Sequence, residues 1–276
     1  MTEQLIFDPT TSPLLRGVYS GEGSPEAPAS LFIDGKWQPA SDGNTFTITN
    51  PADRSVVGLV SEATAQDTER AIQVARTTFD AGDWAKTPAS ERSKILLRVA
   101  QAIRDNKEEF AAAESANTGK RLIESRLDME DTANAFDYFG TLIYQDSGRV
   151  VPVDDDNVRS RIENEPIGVC ALITPWNYPL LQVSWKVAPA LAAGNTFVLK
   201  QAEVTPHTAM MLMTVLTEAG VPAGVANLIT GKGSVCGTPL STSPLVDMVS
   251  FTGGLTTGRI IARNAAETIK RTALEL

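Results

Sequence analysis

Five short stretches of this sequence carry side chains able to bind or activate a small molecule, and each closes an apolar run. Thr174-Pro175-Trp176-Asn177-Tyr178-Pro179 offers a side-chain amide among aromatic rings. Lys200-Gln201-Ala202-Glu203 sets an ammonium three residues from a carboxylate. Gly231-Lys232-Gly233 and Phe251-Thr252-Gly253-Gly254 supply glycines, and Glu275 supplies a second carboxylate. Glycine at a strand-to-helix turn lets backbone approach a phosphate, and the helix N-terminus behind it favours the anion. Gly231, Gly233, Gly253, Gly254 and Gly258 fit that role, but they equally fit tight turns that bind nothing. No GxGxxG follows the first strand of the series, so the common dinucleotide fingerprint is absent.

Other chemistries are poorly supplied. One histidine, His207, and two cysteines, Cys170 and Cys236, cannot assemble a His/Cys metal cluster, so no metal is expected. Two cysteines in 276 residues are no disulfide framework and fit a reducing compartment. Cys170 lies inside the apolar run IGVCALIT, where a thiol is a small hydrophobe with a raised pKa. Cys236 falls in the first turn of an expected helix, which would lower its pKa. A net charge of −9 argues against a nucleic-acid partner, which needs clustered Lys and Arg. No run of 18 apolar residues suggests a membrane span, and no basic segment before an apolar run suggests a secretory signal. The cytoplasm is the expected compartment.

The elements that must position these residues follow from periodicity. Residues 1–30, rich in Pro, Gly, Ser and Thr, read as a loose N-terminal extension. Asp34-Gly35 between apolar residues predicts a hairpin. Thr64 is the expected N-cap of a helix carrying Ala71, Val74, Ala75 and Thr78 on one face. One helix is expected over 88–117, stopped near Gly119, and another over 121–145. Residues 147–166 hold two β-prone runs around Asp154-Asp155-Asp156-Asn157, a protruding hairpin arm that needs a partner to cover one face. After Pro166, apolar runs at 167–174, 195–200, 225–230, 246–251 and 271–276 alternate with helical stretches near 180–193, 205–219, 233–241 and 254–267. Continuous apolar strands alternating with helices predict an α/β fold, a doubly wound parallel five-stranded sheet covered on both faces. In such a sheet ligands bind beyond the carboxyl ends of the strands, where all five stretches sit.

Taken in order, TPWNYPL, ALAAGN, VLK with a glutamate three residues on, EAGVPAGVANLITG, SFTGG with a glycine four residues later, and LEL resemble the NAD-dependent aldehyde dehydrogenase superfamily. The resemblance runs from about residue 31 to the end, and TPWNYPLLQVSWKVAPALAAG is most like the betaine and aminoaldehyde dehydrogenase branch. It implies a coenzyme-binding domain made of 31–146 and 167–276, with 147–166 as an oligomerisation hairpin and a homodimer or homotetramer as the assembly. Asn177 would be the amide donor to the oxyanion, worth roughly 3–4 kcal/mol by analogy with other such donors. Lys200 and Glu203 would hold the adenosine ribose, the carboxylate accepting from both hydroxyls and repelling a 2′-phosphate, so NAD is expected over NADP. Thr174, Pro175, Trp176, Gly233, Phe251, Thr252, Gly253 and Gly254 would line the cofactor site. Gly254 departs from the family's serine, losing a hydroxyl donor to the pyrophosphate.

Glu275 would be the general base for thioester hydrolysis, its pKa raised by desolvation at an apolar strand end. Tyr178 and Trp185 match aromatic positions of the substrate tunnel, where rings attract a cationic substrate such as betaine aldehyde or an aminoaldehyde. The implied reaction is oxidation of an aldehyde to the acid through a cysteine thiohemiacetal. That cysteine belongs to a catalytic domain beyond the last residue here, and neither Cys170 nor Cys236 is expected to replace it. Two readings stand: a longer enzyme of which this is the coenzyme-binding part, or a catalytically inactive NAD-binding or interaction module.

Overall fold

The computed structural model describes residues 7–20, 23–145 and 147–276. The N-terminal segment departs from the loose arm that its composition suggests. A tight turn at Pro13–Leu15 and the α1 helix (Arg16–Tyr19) that follows it deliver Leu14, Leu15, Val18 and Tyr19 into the core. Four large side chains within six residues hold enough apolar surface to offset ordering of the chain, at about 1.5–3 kcal/mol for each one buried. The Tyr19 hydroxyl donates to Leu59 O at 3.0 Å and meets His207 Nε2 at 3.1 Å. Asn117 Nδ2 meets His207 Nδ1 at 2.9 Å, so the network assigns the proton to Nε2. Burial pushes this imidazole down to about 3, and it stays neutral.

Asp34 and Gly35 both adopt left-handed backbone, φ 56° and 73°, as a two-residue type I′ turn requires. The expected hairpin forms, β1 (Leu31–Ile33) against β2 (Lys36–Gln38). A second pairs β3 (Thr45–Thr49) with β4 (Val56–Ser61). Thr64 caps α2 (Ala65–Ala81) in a capping box with Asp67: each backbone N–H donates to the other's side chain, at 3.0 and 3.1 Å. The short α3 (Asp83–Lys86) follows.

The single helix expected over 88–117 is two. α4 (Ala89–Asp105) ends at Asn106, whose φ of −106° and ψ of 21° leave the helical region, and α5 (Lys107–Thr118) restarts from it. The Asn106 amide donates to Ala102 O at 2.8 Å, the local competition with the helix that asparagine offers. Next come α6 (Leu122–Leu142) and a two-stranded arm, β5 (Arg149–Val151) on β6 (Ser160–Ile162), with Val150 and Ile162 exposed.

From residue 167 the series is β7 (Val169–Ile173), α7 (Pro179–Ala192), β8 (Thr196–Lys200), α8 (His207–Ala219), β9 (Ala226–Ile229), α9 (Gly233–Thr242), β10 (Met248–Thr252), α10 (Leu255–Ala266) and β11 (Arg271–Glu275). The five strands are parallel, as expected, but the sheet has seven. Its order is β11-β10-β7-β8-β9-β1-β2, because the N-terminal hairpin adds antiparallel to β9. The chain winds from β7 outward through β8 and β9, then returns to set β10 on the other side of β7. Side chains of α4 to α8 pack in one core, and those of α2, α9 and α10 in a second. β7, β8 and β9 are buried throughout, whereas β10 alternates and β11 is mostly exposed. Coverage of all five strands on both faces therefore fails at the last one.

Candidate coenzyme cleft and its rim

A cleft of about 880 Å³ opens over the carboxyl ends of β7, β8 and β10 and the first turns of α9 and α10. It is lined by all ten residues expected to meet a cofactor: Thr174, Pro175, Trp176, Lys200, Glu203, Gly233, Phe251, Thr252, Gly253 and Gly254. The residues preceding α9 and α10 make no side-chain cap, so first-turn N–H groups of both helices lie beside this space, that of Gly233 next to the Glu203 carboxylate. A Cβ built on Gly254 meets nothing within 4 Å, and one on Gly233 meets only the Lys200 ammonium at 3.8 Å. Backbone there is open to a ligand.

Lys200 is 3% exposed, and its ammonium donates to Glu203 Oε2 at 2.8 Å. This is no solvated surface pair, since the ammonium has been taken out of water. For Glu203, burial raises the pKa, but the Lys200 hydrogen bond and charge, with backbone N–H groups of Glu203 and Gly233, outweigh it and hold the carboxyl low. The carboxylate is charged at neutral pH, and Glu203 lines the cleft. Such a group accepts from paired hydroxyls and repels a phosphate.

Trp176 is 60% exposed and stands between this cleft and a smaller hollow of about 290 Å³ lined by Phe46, Ile48, Pro51 and Val204. Asn177, Tyr178 and Trp185 do not line the cleft. Asn177 is exposed, Tyr178 is the residue preceding α7, and Trp185 lies half exposed on that helix. The Lys120 ammonium sits 4.2 Å from the centre of the Tyr178 ring, so one face of that ring already holds a cation.

Glu275 is not desolvated as its apolar strand suggests. It is exposed, and its Oε2 accepts from Thr252 Oγ1 at 3.0 Å across the β10–β11 register. The thiols also differ from one part of the sequence reading. Burial pushes Cys170 up to about 12. Cys236, expected to be lowered by its helix, is raised, because burial under Ala63 outweighs its first-turn position. Among the described residues no cluster of His, Cys, Asp and Glu could hold a metal.

Three polar groups escaped sequence reasoning. Gln201, buried, spans from β8 to the Thr174 loop. Lys186 of α7 donates to Ser250 Oγ at 3.2 Å; burial lowers its pKa and the Glu275 charge raises it. Glu114 of α5, fully buried, accepts from Thr208 Oγ1 at 2.9 Å and from Leu180 N at 3.4 Å in the first turn of α7. Burial lifts its carboxyl to about 7, against the Lys120 charge. A charged residue at an apolar helical position was the only signal for Glu114 and Lys186, and it names no partner.

Strands wound outward in both directions, with a cleft across their carboxyl tips, define the ligand-binding domain of a doubly wound α/β protein. The chain belongs to the aldehyde dehydrogenase family, whose model matches residues 37–276. It is 48% identical over 247 residues to betaine aldehyde dehydrogenase of Bacillus subtilis (strain 168), covering 90% of this chain and 50% of that protein. It is 41% identical over 252 residues to aminoaldehyde dehydrogenase 2 of Zea mays, covering 89% and 50%. A crystal structure of betaine aldehyde dehydrogenase from Staphylococcus aureus in complex with NAD+ superposes with a TM-score of 0.88 at 44% identity, covering 90% of this chain and 49% of that one. The chain spans about half the length of the relatives it matches.

Proposed function

We propose that this chain is the coenzyme-binding part of an NAD-dependent aldehyde dehydrogenase that oxidises a cationic aldehyde, betaine aldehyde or an aminoaldehyde, to its acid. One observation carries the reading: a buried ammonium and a charged carboxylate, Lys200 and Glu203, share a cleft with the uncapped starts of two helices. Ribose hydroxyls suit the pair, and a pyrophosphate suits the helix starts. The coenzyme, when bound, supplies the hydride acceptor. Titration of the purified chain with NAD and NADP tests the reading, with tighter NAD binding expected; equal or reversed affinities would remove Glu203 from the ribose.

In the whole protein the Asn177 amide donates to the oxygen of the aldehyde as a cysteine adds to its carbonyl carbon. Glu275 then takes a proton from the water that cleaves the thioester. Tyr178 and Trp185 face the cationic end of the substrate, a reading supported by the Lys120 ammonium already lying over the Tyr178 ring. The hairpin at 147–166 is the contact of a homodimer or homotetramer, and the protein works in the cytoplasm. No described helix is long and apolar enough to cross a membrane.

A second reading, an NAD-binding module without turnover, is favoured by the state of both thiols. Cys170 and Cys236 are buried with raised pKa values, so neither is a nucleophile. NADH formation from betaine aldehyde by the purified 276-residue chain would reject that second reading.

A further inference from the structure

We propose that Gln201 is a positioning residue of the coenzyme cleft, its side-chain amide tying the wall made by Thr174, Pro175 and Trp176 to the wall made by Lys200 and Glu203. The inference rests on the reading of this cleft as an NAD site. It starts from a shortage of backbone donors. Residues 174–178 form the loop from β7 to α7; Pro175 removes one of its N–H groups, and Pro179, which opens α7, has none to offer behind it. One backbone bond links the start of this loop to the neighbouring strand, Thr174 N donating to Lys200 O at 3.2 Å. Beyond that point the loop leaves the sheet ladder, and the next tie is a side chain.

That side chain is Gln201, 1% exposed, at the first position past β8. A primary amide has two N–H donors and one acceptor oxygen, and all are used. Nε2 donates to Pro175 O at 2.8 Å and to Thr205 Oγ1 at 3.1 Å, while Oε1 accepts from Thr174 Oγ1. Thr174 and Thr205 are themselves buried. The bonds reach two separate loops, one before α7 and one before α8, and Gln201 is flanked by Lys200 and lies two residues from Glu203. Trp176, directly after the anchored Pro175, is 60% exposed and has little packing to fix it. The width of the cleft between Trp176 and the Lys200–Glu203 pair is thus set through one buried amide.

Replacing Gln201 by leucine keeps the bulk and removes every bond, leaving a carbonyl and two hydroxyls buried without it. Gln201→Leu is expected to weaken NAD binding by about tenfold and to speed amide hydrogen exchange across 174–178 with or without NAD. Gln201→Glu gives a sharper readout, because a protonated carboxyl is nearly isosteric with the amide and keeps one donor and one acceptor. Its NAD affinity should lie near that of the wild type at about pH 6 and fall severalfold more than the wild type's by about pH 9, as ionisation turns the donor into a repelling oxygen. Thr174→Val, which removes one partner alone, serves if Gln201→Leu fails to fold, and is expected to loosen the same segment to a smaller degree. A Gln201→Leu chain with lowered melting temperature but unchanged NAD affinity would reduce Gln201 to core packing and overturn the inference. So would Gln201→Glu affinity that tracks the wild type at every pH. Absence of NAD binding by the wild-type chain would instead overturn the assignment of the cleft.

Discussion

Two ends of one parallel sheet are built on different terms. At the β8 end, Lys200, Gln201 and Thr174 are all buried, and each side chain has its hydrogen-bond partner within the chain. At the β11 end, Glu275 is exposed and held by one threonine hydroxyl, with Leu276 uncovered beside it. Both ends present a carboxylate near the same cleft, yet only Glu203 has its charge state fixed by a buried counter-ion. Buried, mutually satisfied polar groups hold a geometry before any ligand arrives, whereas an exposed carboxylate takes its pKa and position from whatever later covers it. The Lys200–Glu203 side of the cleft is thus preorganised in this chain, and the Glu275 side is not.

Measurements at the two ends can break that contrast. The largest effect is expected under the buried side, at Glu114. Its carboxyl titrates near 7 in the folded chain against an ordinary 4.5, so the folded state binds its proton more tightly. The stability it contributes is complete below about pH 4.5 and is lost as pH rises through 7, up to roughly 3 kcal/mol. Glu114→Gln should flatten this slope, and its advantage over the wild type in urea melts should grow between those pH values. A constant difference would place the carboxyl outside the low-dielectric core. His207 titrates in the opposite sense, its contribution lost as pH falls from about 6.5 toward 3, so the difference between the two chains isolates Glu114.

Lys200→Met should weaken NAD binding by about 30-fold, roughly 2 kcal/mol, because it removes a charged donor and leaves Glu203 without its partner. A loss below about threefold would mean that the buried pair does not hold the ribose. Next in size is Glu203→Gln, which should narrow the affinity gap between NAD and NADP by about tenfold in calorimetric titration. An unchanged ratio would move the ribose elsewhere. At the open end, Gly254→Ser has room for its side chain and should tighten NAD binding by about threefold through a restored hydroxyl donor. Weaker binding would show that bare backbone at this turn is required. Smallest of all, Glu275→Ala should leave NAD affinity within about twofold. In a chain extended to include the cysteine, the same change should let acyl-enzyme accumulate, and slowed hydride transfer alone would remove Glu275 as the base.

Much of the fold was legible because it rests on short-range rules. Asp34-Gly35 forces a hairpin by φ, Thr64 and Asp67 cap a helix by reach, and continuous apolar runs of parallel strands leave the same trace in any sequence. The five stretches that hold the ten cleft residues could be located because a parallel sheet sends each strand's end to the same side, and the family resemblance singled out the ten within them. The helix break at Asn106 was missed for lack of a strong signal, as one asparagine tips a balance between local hydrogen bonds. The buried N-terminal segment was hidden by its prolines, since composition ignores where Leu14, Leu15, Val18 and Tyr19 fall.

By itself, then, the sequence determined most of the elements from residue 167 onward, their order, and which stretches gather over the sheet. Tertiary structure alone decided how those residues are held. Gln201 meets Thr174 across 27 positions, Glu114 meets Leu180 across 66, and Tyr19 meets His207 across 188. It also decided that Glu275 is exposed while Lys200 is not, although both close apolar strands. Burial depends on what packs against a strand, and hydrogen-bond partners are chosen by proximity in space, so neither is written in the local order of residues.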